Sequence, residues 1–283
     1  MVNVLSDDSL KEFVVSSLKE SMTNLGFSQE LMNDFLGNIT SLNLERFISK
    51  HSEELARVEL GHFFGVLVPP YFNKNVVSEV PSGGKVFDLG CGMGTLIQEL
   101  IKRGKNSEIV GIDIKEASEW KELRNEKVKL EVVQEVDFLS TLEREHPDFV
   151  TATWVFHHME YEQQKRYIAS LFKALKPGAV LVALEDSYSD TLPPEAGEQR
   201  SIGFMKLNKD NRQKVMGVLD WIANRVFSMR TSIPVPFAYR TLEEWKQIFE
   251  DAGFNMIKMR FLGFPDERDI NNPQSLIVLQ KQF

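Results

Sequence analysis

From Leu10 to about Leu67 apolar residues recur at helical spacing, as Leu10, Phe13, Val14 and Leu18, then Leu31, Phe35 and Ile39, then Leu44, Phe47 and Ile48. That period predicts a helical N-terminal region over residues 1–67. A break at Pro69-Pro70 and a turn at Pro81-Ser82-Gly83-Gly84 follow, and the pattern then changes. Short apolar runs at Lys85–Leu89, Ile109–Ile112, Val128–Val133, Phe149–Thr153 and Ala179–Leu184 read as five strands. Between them, Thr95–Arg103, Lys115–Asn125, Phe138–Glu145 and Glu160–Leu175 read as helices, the last closed by Lys176-Pro177-Gly178. Strands alternating with helices predict βαβ units and a parallel sheet. Tyr188 to Tyr239 interrupts the alternation with three Pro-containing turns around a helical run from Arg212 to Phe227. Thr241 then caps a helix through Ala252, and Phe254–Phe261 and Ser275–Gln280 follow as two strands with no helix between them, which suits an antiparallel pair at a sheet edge. The expected architecture is α/β: a doubly wound, Rossmann-like, seven-stranded sheet over residues 68–283 with an antiparallel last strand. A helical cap over 1–67 precedes it, and a lid over 187–240 is inserted after the fifth strand.

Composition narrows the partners. With 283 residues, 42% hydrophobic and 26% charged, the chain has the make-up of an ordinary folded protein. Its 33 basic against 41 acidic residues give a net charge of −8, the wrong sign for nonspecific grip on phosphate backbones, so nucleic acid is disfavoured. The acid is concentrated at the start, where residues 1–54 hold 4 basic and 9 acidic residues. Residues 187–240 carry the opposite sign, with 8 basic and 5 acidic. One cysteine, Cys91, excludes an intramolecular disulfide framework and reads as a small buried residue. No run approaches the roughly 20 apolar residues of a membrane span, and the first residues lack a signal-peptide pattern; the expected location is the cytoplasm.

The chemistry is concentrated in Val86-Phe87-Asp88-Leu89-Gly90-Cys91-Gly92-Met93-Gly94-Thr95, a strand entering a glycine-rich turn and then a helix. Glycines let a backbone approach a ligand closely, and the helix N-terminus behind them offers unpaired N–H groups. The next strand ends in Gly111-Ile112-Asp113, which places a carboxylate where it can accept hydrogen bonds from a ribose diol. A dinucleotide site calls for G-x-G-x-x-G, whereas these glycines fall as G-x-G-x-G, so the spacing disfavours NAD. With Asp88 before it, the stretch resembles the first motif of the class I S-adenosylmethionine-dependent methyltransferases. The resemblance extends through Asp113, Asp137-Phe138, Pro147 to Met159 and Leu175-Lys176-Pro177-Gly178, and covers about Val68 to Phe283.

The resemblance implies S-adenosylmethionine as cofactor and S-adenosylhomocysteine as product. It lays Gly90, Cys91 and Gly92 along the methionine and ribose, with Asp88 orienting the turn or meeting the methionine ammonium. It gives the ribose hydroxyls to Asp113 and the adenine amino group to Asp137, walls the ring with Ile114 and Phe138, and sets Thr153 and Trp154 beside the methionine. A purely structural role stays open for each, Asp137 for example as the cap of the next helix. Methyl transfer from a sulfonium is an in-line displacement, for which alignment does most of the work. His157, His158 and Glu185 are the candidate catalytic groups: either histidine as a base, Glu185 as a base or an amine-binding carboxylate. No cluster of oxygen ligands for a divalent cation can be assembled, so no metal is expected. The basic lid suggests a small-molecule acceptor, acidic in character, on a monomer or homodimer. A protein or RNA methyltransferase, and a noncatalytic S-adenosylmethionine-binding module, are the alternatives.

Overall fold

The computed structural model describes residues 5, 7–104, 108–196, 198–231, 233–265 and 272–282, without the side chains of residues 9 and 198. The chain opens with α1 (Asp8–Leu25), α2 (Gln29–Gly37) and α3 (Leu44–Leu55), a π-helical stretch (Ala56–Leu67) and α4 (Val68–Asn75). The alternating part follows as β1 (Lys85–Leu89), α5 (Thr95–Arg103), β2 (Glu108–Asp113), α6 (Trp120–Leu123), β3 (Val128–Val132), α7 (Phe138–Glu145), β4 (Phe149–Thr153), α8 (Tyr161–Ala174) and β5 (Val180–Tyr188). Then come α9 (Glu198–Met205), α10 (Lys209–Trp221) with a π-helical end (Ile222–Phe227), β6 (Arg240–Thr241), α11 (Leu242–Asp251), β7 (Phe254–Gly263) and β8 (Gln274–Lys281). None of the described helices is long and apolar enough to cross a membrane.

Seven strands lie in the order β3-β2-β1-β4-β5-β8-β7, and the two-residue β6 pairs with β5 off that path. Strands β1 to β5 are parallel, with Asp88 opposite Gly111 on one side and Thr151 on the other. Strand β8 runs against β5: Lys281, at its end, donates its amide to Ala179 at 3.0 Å, while Pro273, just ahead of β8, accepts from Ser187 at 2.8 Å near the far end of β5. Strand order reverses between β1 and β4, the position at which open α/β sheets bind ligands. Both faces of the central strands are covered, so their apolar runs are continuous rather than alternating: Val86, Phe87, Val110, Ile112, Val150, Ala152 and Leu181 to Leu184 are all buried.

Three sequence expectations are corrected. Pro69 and Pro70 do not break the helical region: both lie in the first turn of α4, which begins at Val68 directly after the π-helical stretch. The helix expected over Lys115–Asn125 is the single turn α6, because only Trp120 and Leu123 in it are buried. Strand β5 continues past Leu184 through the polar Glu185, Asp186 and Ser187 to Tyr188, every residue of it buried.

The chain divides into two compact units. One comprises Val68–Glu185, Arg240–Arg260 and Ser275–Phe283, and contains most of the sheet and helices α4 to α8 and α11. The other comprises Met1–Leu67, Asp186–Tyr239 and Phe261–Gln274, so the N-terminal helices and the segment after β5 share one core. There Phe227 packs on Phe27 and Phe35, with ring centres 5.1 and 5.4 Å apart, and Phe204 lies between Phe13, Tyr188 and Phe264.

Candidate active site

The glycine turn follows β1 directly, and its conformation explains its residues. Gly90, Gly92 and Gly94 have φ of 70°, 53° and 83°, a region unfavourable for residues with a Cβ. A Cβ on Gly90 would come within 2.9 Å of Val155 Cγ2, and one on Gly94 within 2.5 Å of Leu123 Cδ1. At Gly92 nothing lies within 4 Å of that position, which leaves the space a ligand needs to reach the backbone. The turn is pinned to β2: Cys91 donates its amide to the Ile112 carbonyl at 2.9 Å, and Gly92 donates to Asp113 Oδ2 at 2.8 Å. Trp120, which sequence reasoning missed, closes the other side by donating Nε1–H to the Gly92 carbonyl at 2.8 Å. Its one signal was being the only aromatic residue between β2 and β3. The Cys91 thiol is buried, and burial pushes its pKa up, as suits a packed rather than reactive sulfur.

The carboxylates divide by environment. Asp88 is almost fully buried and accepts from Thr151 Oγ1 at 2.7 Å, which ties β1 to β4; burial pushes its pKa up to about 7. Its Oδ2 has no hydrogen-bond partner. Asp113 is half-buried, and its Oδ1 also accepts from the Lys115 amide at 3.3 Å. Asp137 is exposed, and although it sits at the N-cap of α7 its side chain makes no cap hydrogen bond. Phe138 is buried, while Ile114 is 56% exposed beyond the end of β2.

At the end of β4, Thr153 and Trp154 are half-buried, and Trp154 stands at φ 57° with its ring 5.0 Å from that of Phe72. Its indole Nε1 is buried without a partner. His157 is buried and lies with Nδ1 2.7 Å from Glu185 Oε2; His158 is half-buried, its ring centre 4.1 Å from that of His157. Glu185 is fully buried and turned toward the backbone after β4. Asp88, Gly90, Cys91, Gly92, Asp113 and Trp154 thus gather at the carboxyl ends of β1, β2 and β4, whereas Asp137 is an exposed side chain after β3.

Several arginines after β5 have partners within the protein. Arg225 donates to the Ile233 carbonyl at 3.0 Å, Arg230 lies over the Phe64 ring, and Arg212 binds the carbonyls of Met205 and Leu207 and the Asp190 carboxylate. Arg200 bonds Ser21, and Arg240 bonds Gln164 and the Tyr161 carbonyl.

A family model described as a methyltransferase domain matches residues 70–259, well over half of the chain. The chain belongs to that methyltransferase-domain family. Proteins named uncharacterized methyltransferases are similar in sequence, one from Anoxybacillus flavithermus (28% identity over 132 residues) and one from Bacillus mycoides (31% over 136). In both cases the match covers 46% of this chain and 60% of the relative's own length. Two solved structures share the fold. An O-methyltransferase family protein from Burkholderia thailandensis has a TM-score of 0.52 and 15% identity, over 88% of this chain and 67% of that one. A 1,6-didemethyltoxoflavin-N1-methyltransferase from the same organism, solved with S-adenosylhomocysteine, has a TM-score of 0.50 and 12% identity, over 84% and 87%.

Proposed function

We propose that this protein is an S-adenosylmethionine-dependent methyltransferase acting on a small-molecule acceptor. The observation that carries the reading is the glycine turn, held from below by Asp113 through the Gly92 amide and open above Gly92. The residues fit the cofactor. A carboxylate has about four acceptor positions, so Asp113 can hold the turn and still accept from the ribose hydroxyls. The exposed Asp137 carboxylate, uncommitted to a cap, suits the adenine amino group, with Ile114 and Phe138 as the apolar neighbours of the ring. Thr153 and Trp154 would border the methionine end. When bound, the cofactor supplies an electrophilic methyl on a sulfonium.

The chain's own contribution is alignment. An acceptor set at the carboxyl end of β4 would meet the methyl in line, and alignment of this kind can lower a barrier by about 7–11 kcal/mol.

Calorimetric titration with S-adenosylmethionine, S-adenosylhomocysteine and NAD tests the reading. Saturable binding of the two adenosyl ligands, none of NAD, and at least tenfold weaker binding by Asp113→Ala are expected. Absence of adenosyl binding by the wild-type protein sinks the proposal, and binding without turnover in an acceptor screen would favour a noncatalytic module.

A further inference from the structure

The turn after β4 is built around an anion that the protein supplies itself. Glu185 Oε1 accepts from the amides of Val155 at 2.9 Å and Phe156 at 2.8 Å; Oε2 accepts from the His157 amide at 3.3 Å and lies 2.7 Å from His157 Nδ1. The Trp154 amide, next in line, donates to the Leu184 carbonyl at 2.8 Å. Four successive N–H groups therefore end on two consecutive residues of β5. Such a run of amides forms a concavity suited to an anion, and here a buried side chain fills it. The four acceptor positions of the carboxylate are used, which leaves none for an acceptor molecule or for its proton.

We propose that Glu185 is a positioning residue for cofactor binding, resting on the methyltransferase reading above, and not a base. Two contacts carry its effect to the glycine turn. Val155, held by Oε1, sets its Cγ2 against Gly90, where even a Cβ would not fit. Trp154 occupies the left-handed region, an outlier for a bulky residue that persists only where the surroundings over-determine it. The surroundings here are the Leu184 and Glu185 bonds on one side and the Phe72 ring on the other. A glutamine at 185 keeps the shape but offers one acceptor oxygen and turns an NH2 toward N–H donors. The turn must then shift, and with it the floor under Gly90 and the indole of Trp154.

The test compares S-adenosylhomocysteine affinity in the wild-type protein, Glu185→Gln and Thr241→Ala, together with the His157 tautomer read from imidazole nitrogen NMR shifts. Thr241→Ala removes only the cap of α11 and serves as a destabilised control. Expected are at least tenfold weaker binding in Glu185→Gln, unchanged binding in Thr241→Ala, and a wild-type His157 protonated at Nδ1 that moves its proton to Nε2 in Glu185→Gln. Equal affinity in wild type and Glu185→Gln overturns the proposal. If Glu185→Gln does not fold, the wild-type tautomer decides: a proton on Nε2 alone overturns it, and one on Nδ1 supports it. Failure of the wild-type protein to bind any adenosyl ligand would instead overturn the methyltransferase reading.

Discussion

Asp88 shows how one buried carboxylate sets a pH dependence. Its pKa is pushed up to about 7 by burial, against about 3.9 in an unfolded chain, so between those values the native state binds a proton that the unfolded state has lost. Stability therefore falls as pH rises from about 4 to about 7, by up to about 4 kcal/mol, and is flat with respect to this group above and below. Asp88→Asn keeps an oxygen for Thr151 and removes the titration. Urea unfolding of both proteins across that range should show the variant gaining steadily on the wild type, and a pH-independent difference would refute the assignment. The glycine turn, Asp88 and Asp113 were legible in the sequence because a single strand-turn-helix and the strand beside it define them. Glu185 was legible as a carboxylate at the end of a strand, but its partners lie 28 to 30 positions away in the chain, and no local pattern records that it faces a backbone turn. Trp120 was invisible for the same reason, since its role is defined by the Gly92 carbonyl 28 positions earlier.

At the scale of elements, α10 carries a glycine, Gly217, in its interior, where alanine is favoured by about 1 kcal/mol on propensity alone. The space is already taken: a Cβ at Gly217 would run into the Phe237 ring, and Phe237 is itself held at φ 59°. Gly217→Ala should therefore destabilise the protein by about 1–3 kcal/mol, the usual cost of overpacking, despite the better helix former. Pairing it with Phe237→Leu should recover part of that loss. Denaturant midpoints of the single and double variants decide, and a stabilised Gly217→Ala would show that the ring moves aside freely. The parallel strands and α5, α7, α8 and α11 were readable because short apolar runs, glycine closures and capping residues mark them locally. The errors share one cause. Lys115–Asn125 contains enough helix formers to suggest a long helix, yet two buried side chains anchor only one turn; the fifth strand is expected to stop at Leu184, before the polar residues, yet β5 runs on because they find partners that the sequence does not show.

For the whole molecule, the chain builds its second compact unit from three separated segments, and the contacts inside that unit join the first of them to the second. Phe227 rests on Phe27 and Phe35, Phe204 on Phe13, Ser228 donates to Glu59 at 2.8 Å, and Arg230 covers Phe64. Residues 1–67 and the segment after β5 thus form one folding element at this scale. Deleting residues 1–67 would leave Phe204 and Phe227 facing water on one side; exposing a buried aromatic side chain costs roughly 1.5–3 kcal/mol each, before the lost polar partners are counted. The deletion variant should consequently become sensitive to trypsin at Arg225 and Arg230 under conditions in which the full chain resists, while cleavage within β1 to β4 stays slow. Mass spectrometry of timed digests reads both outcomes. Equal resistance of residues 186–239 with and without the N-terminal helices would mean that this segment holds its fold through its own contacts, such as the Tyr239 hydroxyl on Asp220 at 2.6 Å and Arg225 on the Ile233 carbonyl.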